Sequence, residues 1–385
     1  MDSLERLSRA ADGRAAADLR RALPSRGPGH DGLLDLASND YLGLCGDERL
    51  AAGAIEAVRK WGTGSTGSRL VTGTTGLHIE LETRLAEFTG AASALVFSSG
   101  YLANLTVITA IAASLGSAVL IVSDERNHAS LIDACRLARA RVAVTPHRDA
   151  GAVRRALAGR DEDAAIVVSD AVFSVDGALA PVAELHAAAR EHGALLVLDE
   201  AHAFGVVGPG GRGAAAAAGI AGEPDVIRTV TLSKSLAGQG GAVLGAPEVT
   251  GTLVDTGRGF IFDTGLAPPC AGAALAALDV IAAEPGLGAR AQANTARLAA
   301  IATGLGLRAS APDAAVLAVI LGEPRLALRA RRICADHGVR AGCFRPPSVP
   351  AGQACLRLTG RADMTESDFM IAARALTAVR DHDGS

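Results

Sequence analysis

The chain has 385 residues, of which 49% are hydrophobic and 20% charged, a composition typical of a folded protein with a large core rather than of a disordered chain. Its net charge is −4, its arginines are scattered and only 3% of its residues are aromatic, so nucleic acid is not an expected partner. The six cysteines include no C-x-x-C pair, which argues against a metal site or a disulfide framework and predicts the reduced thiols of a cytoplasmic protein.

Residues 1–43 are interpreted as an N-terminal helix and arm, in which the helix is amphipathic and ends before Pro24. No apolar signal region precedes this helix, so no secretory signal is predicted. The stretch from Phe88 to Ser123 has no charged residue and is long enough to span a membrane. Small and polar residues divide it into a strand, a helix and a second strand. This division favours a β-α-β unit of a soluble core, with no membrane association.

Residues 44–260 contain short apolar strands that alternate with helical stretches. Such a pattern predicts an α/β domain, in which a mainly parallel sheet is covered by helices on both faces. The proline pair in "DTGLAPPC" marks the end of this domain. Residues 261–385 are predicted to form an interdomain helix and a smaller C-terminal α+β domain, which contains the strand "AAVLAVIL" and the helices "PRLALRARRICADHG" and "ESDFMIAARALTAV".

Polar side chains follow several predicted strands of the large domain. Asp199 and His202 come at the end of "LLVLDEAH", Ser174 and His128 follow two other strands, and Lys234 follows "TVTLS". In an open α/β sheet, ligands bind beyond the carboxyl ends of the strands, so we expect these side chains to share one crevice. Taken singly, each is more often a helix cap or a structural polar group.

Lys234 is unusual because, of the 37 lysine and arginine residues, only Lys60 and Lys234 are lysines. Arginine keeps its proton near neutral pH, whereas a lysine amine can attack an aldehyde to form a Schiff base. The alternative is that two lysines persisted by chance. An aldehyde cofactor would need an anion site, such as the helix N-terminus after "SSG" with the Thr231 hydroxyl, and a carboxylate such as Asp199 for a ring nitrogen. These requirements describe pyridoxal 5′-phosphate (PLP).

The segments "DEAHAFGVVGPGGRG" and "TLSKSLAGQGG" are similar to motifs of a known family. With "SNDYLGL", "GSTGSRLVTGT", "FSSGYLAN" and "ERNHASL", they resemble the α-oxoamine synthase family of PLP-dependent enzymes, in the expected order and over nearly the whole chain. The resemblance implies the PLP-dependent transferase fold (aspartate-aminotransferase-like, fold type I) and a homodimer with active sites at the subunit interface. The implied reaction joins an amino acid to an acyl thioester and releases CO2.

Carried over position by position, the resemblance implies roles for individual residues. Lys234 would carry the cofactor, Asp199 would hold its ring nitrogen, His202 its 3′-oxygen, and His128 would stack on the ring. The other implied cofactor contacts are Gly100, Tyr101, Ser174, Thr231 and Thr264, the last of which would reach the phosphate in the other subunit. The implied substrate contacts are Asn39 and Arg357 for the amino-acid carboxylate, His128, and Ser348 with Arg20 or the adjacent Arg21 for the acyl group.

The stretch "FRPPSVPAGQACLRLT" most resembles family members that use L-alanine and a pimeloyl thioester, with Ser348 where threonine is usual. Whether the thioester is carried by coenzyme A or by a carrier protein stays open. Alternatives within the family are the glycine C-acetyltransferase and serine palmitoyltransferase types. Outside it, the alternatives are an ordinary aminotransferase of the same fold, which lacks acyl-thioester contacts, and a PLP-binding regulatory domain, which would need a DNA-binding segment that is not recognisable here.

Overall fold

A computed structural model describes residues 2–23, 25–27 and 32–383 of the chain. Its contacts divide the chain into two compact units. The larger unit comprises Asn39–Ser174 and Ala178–Gln292, and the smaller comprises Met1–Ser38, Val175–Gly177 and Ala293–Ser385. These bounds differ from the predicted segments 1–43, 44–260 and 261–385. The helix that was predicted to lie between the domains packs closely on the helix Glu48–Trp61 of the larger unit, because Gly53 and Gly272 leave room at their crossing.

The helices lie between short strands along most of the chain. The helices are α1 (Ser3–Ala16), α2 (Glu48–Trp61), α3 (Gly76–Thr89), α4 (Gly100–Ser114), α5 (Ala129–Leu137), α6 (Ala150–Ala158), α7 (Val182–Glu191), α8 (Ala214–Ala217), α9 (Pro247–Thr256), α10 (Arg258–Ile261), α11 (Pro268–Ala283), α12 (Leu287–Gly304), α13 (Pro324–Asp336) and α14 (Glu366–Asp383). The strands are β1 (Leu34–Asp35), β2 (Ser93–Phe97), β3 (Val119–Asp124), β4 (Arg141–Thr145), β5 (Ala164–Asp170), β6 (Leu195–Asp199), β7 (Val226–Thr231), β8 (Gly241–Gly245), β9 (Val316–Gly322), β10 (Val339–Arg340), β11 (Gly342–Phe344) and β12 (Ala354–Thr359).

The larger unit is built on a seven-stranded sheet of order β2-β8-β7-β6-β5-β3-β4. All neighbours pair in parallel except β8, which is antiparallel to both β2 and β7. Strands β3 and β7 are buried along their whole length, as expected when helices cover both faces of a sheet. The prediction of a mainly parallel sheet in an α/β fold is therefore confirmed.

The smaller unit contains an antiparallel sheet of order β11-β12-β9 and a short parallel pair of β1 and β10. Its core joins apolar side chains of β9 and β12 with those of α12, α13 and α14. Helix α1 ends at Ala16, well before Pro24, because Asp18 has a φ of 56° in the left-handed region. Pro24 itself lies outside the described residues.

Among the described residues, no single helix combines the length and apolarity needed to cross a membrane. One bent pair, α11 with α12, meets that test by length and composition only.

Candidate active site

The carboxyl ends of β5, β6 and β7 and the N-terminal turns of α4 and α5 surround a cavity of about 170 Å³ in the larger unit. Of the residues that the sequence pattern indicated, the following line it: Gly100, Tyr101, His128, Asp199, His202, Thr231 and Lys234. Strands that end at the same edge of a sheet bring residues far apart in the chain together. The predicted convergence on one crevice is therefore observed for Asp199, His202, His128 and Lys234, whereas Ser174 lies outside the lining.

Lys234 is held in a chain of hydrogen bonds. Its Nζ lies 2.8 Å from Nε2 of His202, whose Nδ1 lies 2.5 Å from the hydroxyl of Tyr41. That hydroxyl donates to Oδ1 of Asn39 at 3.1 Å, so it accepts from Nδ1 of His202 and leaves Nε2 as the acceptor for Lys234. Tyr41 is fully buried, which fixes the imidazole that faces the lysine amine.

Asp199 is a buried carboxylate at the end of β6 with both oxygens occupied. Oδ1 accepts the backbone N–H of Ala201 at 2.8 Å, and Oδ2 accepts the amide of Asn104 at 2.7 Å. The sequence pattern did not indicate Asn104. Its spacing of four residues after Gly100 is the signal that could have found it, since residues four apart share one face of a helix.

Asp170 lies opposite Asp199 in the register of β5 and β6, and its Oδ2 accepts the backbone N–H of His128 at 2.7 Å. Burial, followed by the neighbouring Asp199 carboxylate, raises the pKa of Asp170 well above its usual range. The imidazole of His128 is partly exposed, and the protein around the rest of the ring lowers its pKa by removing water. The Lys234 ammonium lowers the pKa of His128 further, whereas Asp199 raises it.

The first turn of α4 supplies backbone N–H groups beside hydroxyl side chains. Ser99 caps this helix by accepting the N–H of Leu102 at 3.1 Å, and the hydroxyls of Thr231 and Ser233 lie 2.6 Å apart. A Cβ atom on Gly100 would lie 3.1 Å from Cβ of Thr231, a tight contact, so glycine favours this close approach. A helix N-terminus with adjacent hydroxyls is suited to binding a phosphate.

A buried ion pair lies behind the turn that contains Asp199 and His202. Glu200 and Arg228 are both fully buried, with Oε2 and Nη1 3.6 Å apart. Oε1 of Glu200 accepts the backbone N–H of Ala215 at 2.7 Å, and Arg228 donates to the carbonyl oxygens of Thr89 and Ala221. Glu200 therefore ties the turn after β6 to β7 and to the start of α8.

Three further predicted residues of the larger unit lie outside the lining of this cavity. Asn39 reaches it indirectly, through Tyr41 and His202. Ser174 follows β5 and is half-buried. Thr264 is exposed and forms an isolated β-bridge with Ser68, next to Asp263, which accepts a hydrogen bond from Ser98.

The predicted substrate residues Arg357, Ser348, Arg20 and Arg21 belong to the smaller unit. Arg357 is buried in β12, with its guanidinium 5.5 Å from the ring centre of Phe344. Nη2 of Arg21 donates to the hydroxyl of Ser348 at 3.3 Å, whereas Arg20 is exposed and accepts a hydrogen bond from Arg345 through its carbonyl oxygen. Of the two adjacent arginines, Arg21 is therefore the one whose side chain lies against Ser348.

A small cavity of about 220 Å³ surrounds this contact in the smaller unit. The arginines Arg21, Arg331 and Arg345 line it together with Ser348. Three guanidinium groups around one cavity favour an anionic ligand. Among the described residues, no group of three or more histidine, cysteine, aspartate or glutamate side chains is placed to hold a metal ion.

The model of the family "Aminotransferase class I and II" matches residues 31–376 of the chain. A solved serine palmitoyltransferase variant from S. paucimobilis with a bound PLP–myriocin aldimine has a TM-score of 0.91 and 28% identity, with 100% of each chain covered. This fold and a lysine at the edge of its sheet define a PLP-dependent enzyme of the aminotransferase class.

Similar proteins of known name indicate a more specific group within this class. The 8-amino-7-oxononanoate synthase of Mycobacterium sp. (strain JLS) is 56% identical over 97% of this chain and 96% of its own length. A solved 8-amino-7-oxononanoate synthase from Francisella tularensis has a TM-score of 0.76 and 26% identity, with 92% of this chain and 98% of that chain covered. The chain belongs to the class I and II aminotransferase family and, within it, to the 8-amino-7-oxononanoate synthases.

Proposed function

We propose that this protein condenses L-alanine with a pimeloyl thioester to form 8-amino-7-oxononanoate, CO2 and a free thiol, a step of biotin biosynthesis. The observation that carries the proposal is the 56% identity, over 97% of the chain, to a protein named 8-amino-7-oxononanoate synthase. The convergence of Lys234, Asp199 and two histidines on one cavity supports it.

The cofactor is pyridoxal 5′-phosphate, and the donor groups of the cavity fit it. Lys234 offers the only lysine amine among the lining residues, Asp199 a buried carboxylate, and the start of α4 with Thr231 a phosphate site. Lys234 would bind the cofactor's aldehyde, Asp199 its ring nitrogen and His202 its 3′-oxygen, while His128 would stack on the ring. Gly100, Tyr101, Ser174, Thr231 and Thr264 would complete its contacts. When bound, PLP withdraws electrons from the α-carbon of the amino acid.

The residues of the chain then supply binding and proton transfer. Once the amine of alanine has replaced it on the cofactor, the freed amine of Lys234 would take the proton from the α-carbon of alanine, as a general base within the cavity. His202, fixed by Tyr41, orients that amine. The carboxylate of Asp199 is held in place by the hydrogen bonds that both of its oxygens accept, and it would face the ring nitrogen of the cofactor.

Arg357 is proposed to bind the carboxylate of alanine. A guanidinium on a rigid strand can bind a carboxylate through two parallel hydrogen bonds, which a lysine does not reproduce. We expect Arg357→Lys to raise the KM for alanine strongly while the absorption spectrum of the bound cofactor stays unchanged, which steady-state kinetics and spectroscopy would measure.

The acyl substrate is proposed to contact Ser348 and Arg21. Arg21 is favoured over Arg20 because its side chain is the one hydrogen-bonded to Ser348. An arginine-lined cavity suits an acyl group that ends in a carboxylate, as a pimeloyl group does. Arg21→Gln should raise the KM for the acyl donor more than Arg20→Gln does. Equal effects of the two changes would contradict this assignment.

The reaction is tested by measuring thiol and CO2 release over a panel of amino acids and acyl thioesters. We expect the highest kcat/KM for L-alanine with a pimeloyl thioester, and coenzyme A and carrier-protein forms of the donor should be compared. The second candidate is the serine palmitoyltransferase type, which the TM-score of 0.91 favours. A preference for serine with a long acyl chain would establish that type and overturn the proposal.

We also propose that the enzyme is a cytoplasmic homodimer. The large apolar side chains of Leu70, Val71 and Phe262 are exposed, and the bridge between Ser68 and Thr264 joins the two segments that carry them. Clustered exposed apolar residues are typical of a protein interface. Light scattering should give twice the mass of one chain, and Phe262→Asp should lower it. A fully active monomer would contradict the proposal.

A further inference from the structure

The side-chain amide of Asn104 joins four elements around the cavity of the larger unit. Asn104 lies on α4 and is only 3% exposed. Its Nδ2 donates to Oδ2 of Asp199 at 2.7 Å and to Oγ of Ser130 at 2.9 Å. Its Oδ1 accepts the hydroxyl of Thr229 at 2.6 Å. The two donors and the one acceptor used here require an amide in one orientation, which neither a carboxylate nor an apolar side chain can provide.

The direction of each hydrogen bond in this network is set by its neighbours. The Asp199 carboxylate only accepts, so the NH2 group of Asn104 must face it, and the carbonyl then faces the Thr229 hydroxyl. The same NH2 group donates to Ser130, whose own proton is thereby left for Nδ1 of His128, 2.7 Å away. Nδ1 also accepts the backbone N–H of Ser130 at 3.2 Å. His128 therefore carries its proton on Nε2.

We propose that Asn104 is a positioning residue that, through one amide, orients the Asp199 carboxylate and, by donating to the Ser130 hydroxyl, reinforces the Nε2-protonated tautomer of His128 that the backbone N–H of Ser130 also favours. The consequence for catalysis rests on the proposed function, which assigns Asp199 and His128 to the cofactor ring. Asn104 then couples Asp199, which would hold the ring nitrogen, to His128, which would stack on the ring. The charged and titratable groups around His128 are Asp199, Lys234 and Asp133, together with Asp170, which accepts its backbone N–H.

The most informative substitution is Asn104→Asp, which keeps the shape of the side chain and reverses its hydrogen bonding. A carboxylate at this position would accept the proton of Ser130, so Ser130 could no longer donate its hydroxyl to His128. We expect the population of His128 to shift towards the tautomer protonated on Nδ1, because only the backbone N–H of Ser130 would then still donate to Nδ1. Asn104→Leu would remove the network without adding charge.

The chain provides a matched control on the same helix. Thr106 is also buried on α4, and its hydroxyl has no hydrogen-bond partner in the described structure. Thr106→Val therefore changes a buried polar side chain of α4 without touching the network. Thr229→Val is a second, milder test, since it removes only the donor that fixes the carbonyl of Asn104.

The experiment uses ¹⁵N-histidine NMR on the full-length, cofactor-free protein, followed by titration with PLP. We expect Asn104→Asp to change the tautomer signal of His128, and Asn104→Leu and Thr229→Val to weaken PLP binding, with about a tenfold to hundredfold rise in Kd for Asn104→Leu. Thr106→Val should match the wild type in both measurements. His128→Gln assigns the signal.

An unchanged His128 tautomer in the folded Asn104→Asp protein would overturn the proposal. Wild-type affinity for PLP in both Asn104→Leu and Thr229→Val would also overturn it. If Asn104→Leu does not fold, Thr229→Val decides the second measurement. Failure of the proposed function is distinguishable, because it would appear as no condensation of alanine by the wild-type protein, whereas the tautomer is measured without cofactor or substrate.

Discussion

At the scale of single residues, the two lysines of the chain occupy very different surroundings. Lys234 lies in the cavity with its amine 2.8 Å from His202, whereas Lys60 lies on α2, 5.6 Å from the ring centre of Trp61. A Schiff base requires an amine beside the cofactor's aldehyde. Borohydride reduction of the PLP-loaded enzyme, followed by peptide mapping, should therefore place the pyridoxyl group on Lys234.

Two variants control this prediction. Lys60→Arg should bind PLP and turn over as the wild type does, because it changes only a surface cation. Lys234→Arg should lose the reducible bond to the cofactor, since arginine does not give up its proton near neutral pH. Label on Lys60 would refute the assignment.

The role of Asp199 gives a second prediction at this scale. Asp199→Asn keeps the shape of the side chain but removes its charge, so a ring nitrogen would no longer be held protonated. We expect turnover to fall by orders of magnitude because a neutral ring withdraws electrons poorly. The lost charge-assisted hydrogen bond should cost about 1.5–3 kcal/mol of PLP binding. Circular dichroism would verify the fold, and near-normal turnover would be incompatible with the role.

At the scale of elements, the start of α4 depends on how closely it approaches β8. A Cβ atom on Gly241 would lie 2.5 Å from the backbone nitrogen of Gly100, within the turn that is proposed to bind the phosphate. We expect Gly241→Ala to push this turn away, to destabilise the protein by about 1–3 kcal/mol and to weaken PLP binding. Urea unfolding and PLP titration would measure the two effects.

Gly245, at the other end of the same strand, offers a matched control. A Cβ atom there would find its nearest neighbour at 3.5 Å, an ordinary contact, so Gly245→Ala should leave PLP binding unchanged. Equal losses of PLP affinity in the two variants would mean that the approach of β8 to α4 has no special role.

At the scale of the whole molecule, the reactivity of the cysteines can be used to follow the unfolding of each unit. Cys45 is exposed, whereas Cys135 in the larger unit and Cys334 and Cys355 in the smaller are buried. Burial raises the pKa of Cys135 to about 11 and those of Cys334 and Cys355 to about 12. In an unfolded chain a thiol has a pKa of about 8.5, so at pH 8 these three form thiolates appreciably only after unfolding.

We therefore expect a thiol reagent at pH 8 to label Cys45 rapidly and the three buried cysteines only as urea unfolds their units. Mass spectrometry of labelled peptides would give, for each cysteine, the urea concentration at which half of the thiol is labelled. Cys45→Ser should remove the fast reaction and leave the others unchanged. Rapid labelling of Cys135 or Cys334 in the native protein would contradict the described packing.

Patterns in the sequence were enough to predict the α/β fold, the strand-end positions of Lys234, Asp199 and His202, and the family. These features depend on local patterns, because apolar periodicity fixes each strand and a parallel sheet brings strand ends to one edge. The sequence left open the choice between Arg20 and Arg21, and it bounded the first helix only by Pro24, whereas the helix ends at Ala16.

Which polar atoms form hydrogen bonds with each other depends on the three-dimensional packing of the elements. Asn104 and Thr229 are 125 positions apart, and Arg21 and Ser348 are 327 apart. Their contacts depend on how β7 is placed against α4 and how the N-terminal arm lies along the segment after β11, which no local pattern encodes. The protonation of His128 on Nε2 follows from five hydrogen bonds whose directions must agree. Such agreement exists only once every donor and acceptor has been brought within about 3 Å of its partner.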